Sequence, residues 1–151
     1  MEEWKSVDEV LDFAIANEED AAQFYTDMAA KMEKQWMKKT FEDFAREEQG
    51  HKKKLESVKS GNLIAKAEKK VMDLKIGDYL VDAEVSADMD YQDALILAMK
   101  AEKAAFKLYS DLAESVDDEN VKATFFNLAQ EEAKHKLRFE IEYDEHVMTE
   151  N

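Results

Sequence analysis

Glu18, Glu48 and His51 recur at the same spacing as Glu102, Glu132 and His135, so one pattern occurs twice at an offset of 84 residues. In each copy a glutamate is followed 30 positions later by the glutamate of a Glu-x-x-His. The same offset carries Tyr25 onto Tyr109, Phe41 onto Phe125, Ala45 onto Ala129, Glu47 onto Glu131 and Lys52 onto Lys136. The chain is an internal duplication, with halves at about 6–58 and 90–146. Whatever it folds into must place the same acidic and imidazole groups twice.

Each half reads as two helices. The first opens at Ser6-Val7-Asp8-Glu9, the spelling of a capping box, and carries Val7, Leu11, Ala14, Ile15, Ala21, Ala22, Tyr25 and Met28 on one stripe that includes Glu18. The second, from about Trp36 to Val58, has Met37, Phe41, Phe44, Glu48, His51, Leu55 and Val58 at alternating steps of four and three. In the other half Tyr91, Leu95, Ala98, Glu102, Ala105, Tyr109 and Leu112 form a third stripe, and Val121, Phe125, Leu128, Glu132, His135 and Phe139 a fourth. Asp90 and Asp117 are the expected N-caps of these two helices. The chain has no proline and only three glycines, and the residues that lose least on entering a helix dominate it. All of this specifies an all-α protein.

In an antiparallel hairpin, residues equidistant from the loop lie at one height. The midpoint of Glu18 and Glu48 is Glu33, and that of Glu102 and Glu132 is Asp117; both fall where the apolar stripe breaks. Each hairpin therefore presents its Glu and its Glu-x-x-His at one level, and pairing two hairpins brings six ligands together. Residues 59–90 form a connection with Gly61, an amphipathic segment near Ile64 to Leu74, Gly77 and an extended Tyr79-Leu80-Val81. A connection of this length can run back along a helix of ~30 Å. Two antiparallel hairpins joined by one long crossover is the connectivity of a ferritin-like four-helix bundle, here read as one domain over residues 1–151.

Thirty-six acidic against 21 basic side chains leave a formal charge of -15, which repels phosphate backbones and anionic lipid and argues against a nucleic-acid partner. No cysteine is present for disulfides, thiolate zinc or iron-sulfur ligation. The segment Met1 to Lys5 leads into an acidic amphipathic stretch without a signal sequence, and no apolar run approaches the ~20 residues needed to span a bilayer. The expectation is a soluble, cytoplasmic protein with no membrane association.

Four carboxylates gathered in an apolar interior repel one another unless cations are present, and two divalent ions supply the missing charge. Glu-x-x-His puts both groups on one helical face, and carboxylates can bridge metals ~3.5 to 4 Å apart. The expected ligands are Glu18, Glu48, His51, Glu102, Glu132 and His135. Mixed oxygen and imidazole ligation suits iron or manganese, and affinity alone does not exclude zinc. Tyr25 and Tyr109 are core aromatics expected to hydrogen-bond ligand carboxylates as outer partners. Glu47 and Glu131 point about 100° away from their neighbours, toward solvent or an interface. His146 is read as exposed on a frayed C-terminal end, the methionines as core filler, and Lys52-Lys53-Lys54 as a solvated face.

Through Glu18-x6-Tyr25, Glu48-x-x-His51, Glu102-x6-Tyr109 and Glu132-x-x-His135, the chain resembles the rubrerythrin branch of the ferritin-like superfamily over nearly its whole length. That resemblance implies two iron ions, reaction with hydrogen peroxide or dioxygen in defence against oxidative stress, and a homodimer. Two departures stand out. The four cysteines of a rubredoxin-like domain are missing, so electrons are expected to arrive from an external donor protein or a small reductant. Ala105 occupies the place of a further glutamate that exchanges with a histidine in typical rubrerythrins. The leading expectation is a non-haem di-iron peroxidase in which Glu48 and Glu132 bridge the ions. The alternatives are a ferroxidase, an iron sequestration or delivery protein, and a non-catalytic metal-stabilised helical module.

Overall fold

The structure, a computed structural model, describes residues 4–81 and 89–150, with side chains through residue 147. Among the described residues there are five α-helices and no strand: α1 Val7–Lys31, α2 Gln35–Ser60, α3 Glu68–Met72, α4 Tyr91–Ser115 and α5 Glu119–Glu150. Two compact units, Glu3–Asp73 and Leu74–Asn151, each contain one long helical hairpin, so the boundary falls between the two repeats. The fold is all-helical, as the composition requires.

In the first hairpin, the Ser6 side chain accepts a hydrogen bond from the Glu9 backbone N–H at 3.1 Å, and Asp8 and Glu9 place negative charge at the positive end of the α1 dipole. The helix ends at Lys31, and after a three-residue loop α2 begins without a side-chain cap. Packing compensates for the missing cap. Val10, Leu11, Ala14, Ala22, Tyr25 and Met28 of α1 are buried, as are Met37, Phe41, Ala45, Leu55 and Val58 of α2. Ile15, Ala21 and Phe44 lie at the stripe margins and are only half-buried. At its far end α2 closes with Asn62 in the left-handed region at φ 54. Its N–H donates to the Lys59 carbonyl at 3.0 Å, while the Leu63 N–H donates to Val58 at 3.1 Å, the two bonds of a Schellman cap.

The second hairpin repeats this plan with better caps. Asp90 accepts from the Asp93 N–H at 2.8 Å, as expected. At α5, however, the cap is Asp118 and not Asp117. Its carboxylate accepts from the N–H groups of Asn120 and Val121 at 2.9 and 3.0 Å. At the C-terminus of α4, the Lys122 ammonium donates to the Ala113 carbonyl at 2.8 Å, placing a cation on the negative end of the dipole. Leu95, Ala98, Leu108, Tyr109 and Leu112 of α4 and Val121, Phe125, Leu128 and Phe139 of α5 are buried.

The long connection is divided between the two units. Its first part, including a 3-10 turn at Ala65–Ala67 and α3, belongs with the first hairpin, where α3 packs on α1 and Val71 is buried. Its second part corrects the extended reading of Tyr79-Leu80-Val81. Ile76–Tyr79 is a 3-10 turn packed on α4, followed by Leu80 in extended backbone at φ -80, ψ 142. The reason is a tertiary hydrogen bond: the buried Tyr79 hydroxyl donates to Asp111 Oδ2 at 2.7 Å, and the Lys107 ammonium lies 5.6 Å above the ring. The part of the connection at 82–88 lies outside the described residues.

Burial, and then the bond to Asp111, raise the Tyr79 pKa well above the usual tyrosine range; burial and Glu142 do the same for Tyr91. Both rings are therefore expected to stay neutral past pH 10. A raised folded-state value means that their stabilisation is complete below pH 10 and is lost as pH climbs through the higher folded value. An alkaline titration followed at 295 nm should show these two tyrosines ionising only together with loss of helix. In Tyr79→Phe one late-ionising group should vanish, at a cost of roughly 1.5 to 3 kcal/mol for a hydrogen bond to a charged acceptor.

Candidate metal centre

On α1 the buried positions Ala14, Glu18, Ala22 and Tyr25 follow one another at four, four and three residues, so Glu18 shares the core face. On α2 Phe41, Ala45, Glu48, His51 and Leu55 do the same. The hairpin brings these faces together. His51 Nδ1 lies 3.5 Å from Glu18 Oε2 and 3.5 Å from Glu48 Oε1, and none of the three residues is more than 4% exposed.

The second hairpin builds the counterpart. His135 Nδ1 lies 3.6 Å from Glu102 Oε1 and 3.9 Å from Glu132 Oε1, all three residues again buried. Within each triad one donor atom per residue falls inside a 4.8 Å cluster. Donors coordinating one ion at about 2.1 Å are separated by roughly 3.0 to 3.4 Å, so each triad is within a small adjustment of a metal site. Two carboxylates and one imidazole also leave net negative charge away from water, which a divalent cation offsets. The donor set thus fits a metal ion in each hairpin.

Tyr25 sits in an aromatic cluster, with ring centroids 5.8 Å from Phe24, 6.2 Å from Phe41 and 6.2 Å from Phe44. Tyr109 is equally buried in its hairpin. Glu47 is exposed and Glu131 is on the surface with Lys134 3.8 Å away, so the residues next to Glu48 and Glu132 turn outward as the helical phase demands. Ala105, one turn beyond Glu102, is half-buried.

His146 corrects its sequence reading. Helix α5 continues to Glu150, and the imidazole is half-buried, packed edge-on against Tyr91 with centroids 5.1 Å apart. The sequence also missed Glu142. It is buried on the same stripe as Glu132 and His135, three residues after Phe139, accepts a hydrogen bond from the Tyr91 hydroxyl at 2.9 Å and has Arg138 4.0 Å away. Continuing the four-and-three spacing past Phe139 would have found it.

Residues 9–143 match the family model described as Rubrerythrin. Among solved structures, a hypothetical protein from Pyrococcus furiosus is 26% identical, with a TM-score of 0.68 over 89% of this chain and 86% of that one. A Thermotoga maritima protein named as a ferritin-like diiron-carboxylate protein superposes with a TM-score of 0.73 over 97% of this chain and 99% of its own at 18% identity, which establishes a ferritin-like fold. No curated protein matches the chain. No helix of the described residues is long and apolar enough to cross a membrane.

Proposed function

Because the chain belongs to the Rubrerythrin family, we propose that its two buried triads together hold a di-iron centre that reduces hydrogen peroxide, or dioxygen, with electrons from an external donor protein. The observation that carries this reading is the convergence of each histidine Nδ1 on two buried carboxylates at 3.5 to 3.9 Å. In the proposed assignment Glu18 and His51 would hold one ion and Glu102 and His135 the other, with Glu48 and Glu132 as the carboxylates the two ions would share. Iron, when bound, supplies the electron transfer to the oxidant. The protein's own contribution is to hold the donors on rigid helices, to neutralise ligand charge against metal charge, and to exclude water by burial among Ala14, Ala22, Phe41, Ala98 and Phe125. We assign Tyr25 and Tyr109 the role of hydrogen-bonding ligand carboxylates and so fixing their orientation. The setting proposed for this chemistry is the cytoplasm, as a defence against peroxide.

The test is metal analysis of protein purified without oxygen, followed by rapid mixing with each oxidant. Two irons per chain, with optical oxidation by peroxide at least ~10-fold faster than by dioxygen, are expected; that ratio corresponds to about 1.4 kcal/mol in barrier. A single ion per chain, or dioxygen as the faster oxidant, would overturn the peroxidase reading. Faster reaction with dioxygen and retention of ferric product would point to the ferroxidase and storage alternative, for which a formal net charge of -15 would help gather cations.

A further inference from the structure

The duplication provides an internal control for surface charge. Over residues 52–60, Lys52, Lys53, Lys54 and Lys59 stand against the single acid Glu56, whereas the duplicate stretch 136–144 sets Lys136 and Arg138 against Glu140, Glu142 and Asp144. A basic end of α2 is therefore not something the hairpin requires. It continues into the connection, so that residues 52–70 hold seven lysines and two glutamates, while the rest of the chain holds 14 basic and 34 acidic residues. Lys52 and Lys59 are tied to α1, at 3.5 Å from Glu19 and 2.6 Å from Asp12. Lys53, Lys54, Lys66, Lys69 and Lys70 are exposed, and none of them is in an ion pair among the described residues. Only seven residues separate α2 from α3, and α3 packs on α1 with Val71 buried, so these ammonium groups all belong to one hairpin.

The basic surface begins directly outside one of the two triads. Lys52 follows His51 in sequence, and its partner Glu19 follows Glu18. Lys53 lies about 200° around α2 from His51, so the outer surface there is about 10 Å, one helix diameter, from the inner one. Resting on the di-iron reading above, we propose that the lysines of residues 52–70 dock an acidic face of the electron-donor protein. Charge decides the class of partner. The Debye length at physiological salt is about 8 Å, so a compact protein set down on this end of the hairpin meets the lysines while carboxylates elsewhere on the chain are screened. A nucleic acid or an anionic membrane is a far larger polyanion, extends past the lysines, and meets the acidic excess that gives the chain its formal charge of -15. Each encounter passes one electron from the donor to the centre. Two donors are thus oxidised for each hydrogen peroxide that, with two protons, becomes two water molecules.

The test uses a plant-type ferredoxin, chosen for its net negative charge, as the donor. Calorimetric titration of the metal-free chain should detect binding that weakens at least ~10-fold between about 50 and 200 mM salt. Lys53→Glu with Lys70→Glu changes two exposed side chains and should weaken binding at least ~10-fold at the lower salt, and slow stopped-flow reduction of the iron-loaded chain by reduced ferredoxin to a similar degree. Lys31→Glu with Lys34→Glu makes the same change in net charge at exposed positions by the opposite end of the hairpin, and should alter both quantities by less than ~3-fold. Both double variants should keep the helical circular dichroism of the wild type, and excess dithionite should reduce their iron to the same extent. Absence of binding, binding that ignores salt, or an equal loss in the two double variants would overturn the proposal. So would DNA or anionic vesicles that displace the ferredoxin and depend on Lys53 and Lys70. Ferredoxin bound through these lysines to a chain that holds no iron reducible by dithionite would instead defeat the di-iron reading and leave the docking surface standing.

Discussion

Glu48→Ala and Glu132→Ala should each reduce metal content from two ions per chain to well under one, and each should reverse the sign of the usual stability effect. In the proposed assignment Glu48 and Glu132 would each be shared by both ions, so the loss of either would disturb both coordination spheres and the charge balance. If metal is present at about 1,000 times its dissociation constant, the stabilisation forfeited is about 4 kcal/mol. At roughly 2 to 4 °C per kcal/mol for a chain of this size, the melting temperature falls by about 10 °C. The apo protein should behave oppositely. Glu18 and Glu48 both crowd one imidazole, each at 3.5 Å, and removing a buried carboxylate relieves like-charge repulsion and desolvation. Apo Glu48→Ala is therefore expected to melt higher than the apo wild type, although it cannot be raised further by iron. Glu47→Ala and Glu131→Ala change surface carboxylates and should leave both metal content and melting within experimental error. Calorimetry of the four variants with and without metal checks this, and equal behaviour of the neighbouring glutamates would defeat the assignment.

The two buried Glu and His triads were legible because duplication and helical phase constrain them jointly. A single Glu-x-x-His on a charged helix says little. Two copies equally distant from stripe-facing glutamates, with midpoints in the loops at residues 32–34 and 116–118, fix both burial and height. Caps at Ser6 and Asp90 were legible for a related reason, since each is a single polar residue immediately before an apolar stripe. Asp117 and Asp118 are adjacent and equally able to cap; only the geometry of the loop decides that Asp118 reaches the Asn120 and Val121 N–H groups.

The remaining failures share a cause: each depends on a partner far away in sequence. Tyr79-Leu80-Val81 has the composition of a strand, and local propensity loses to the hydrogen bond from Tyr79 to Asp111, 32 residues away. Glu142 is one acid among many on a charged helix, and what holds it in the interior is the Tyr91 hydroxyl 51 residues earlier. His146 was assigned to a frayed end because nothing local holds it, whereas its ring is packed by that same tyrosine. At each site a long-range polar or aromatic contact decides what residue type and periodicity leave open.

Ala105→Glu tests the one position where the metal-binding stripe departs from the pattern of typical rubrerythrins. Ala105 follows Glu102 by three residues on the same helix and is half-buried, so a glutamate there can direct its carboxylate toward the ion held by Glu102 and His135 without first unfolding the hairpin. A negative charge about 5 Å from the centre, at an effective dielectric constant near 20, interacts with each added unit of metal charge by about 3 kcal/mol. Because that interaction favours the ferric state, the reduction potential should fall by on the order of 100 mV. The wild-type chain, lacking the group, has no carboxylate at this position to replace an imidazole ligand, so oxidised and reduced crystals should show the same ligands and nearly the same ion positions. In Ala105→Glu a redox-dependent change of ligand becomes available, and the iron nearer His135 should shift between the two states. Redox titration of both proteins, with crystals of each state, measures the two effects separately. A potential that rises in the variant, or a wild-type centre whose ions already move on reduction, would show that Ala105 is not what sets the redox behaviour of this site.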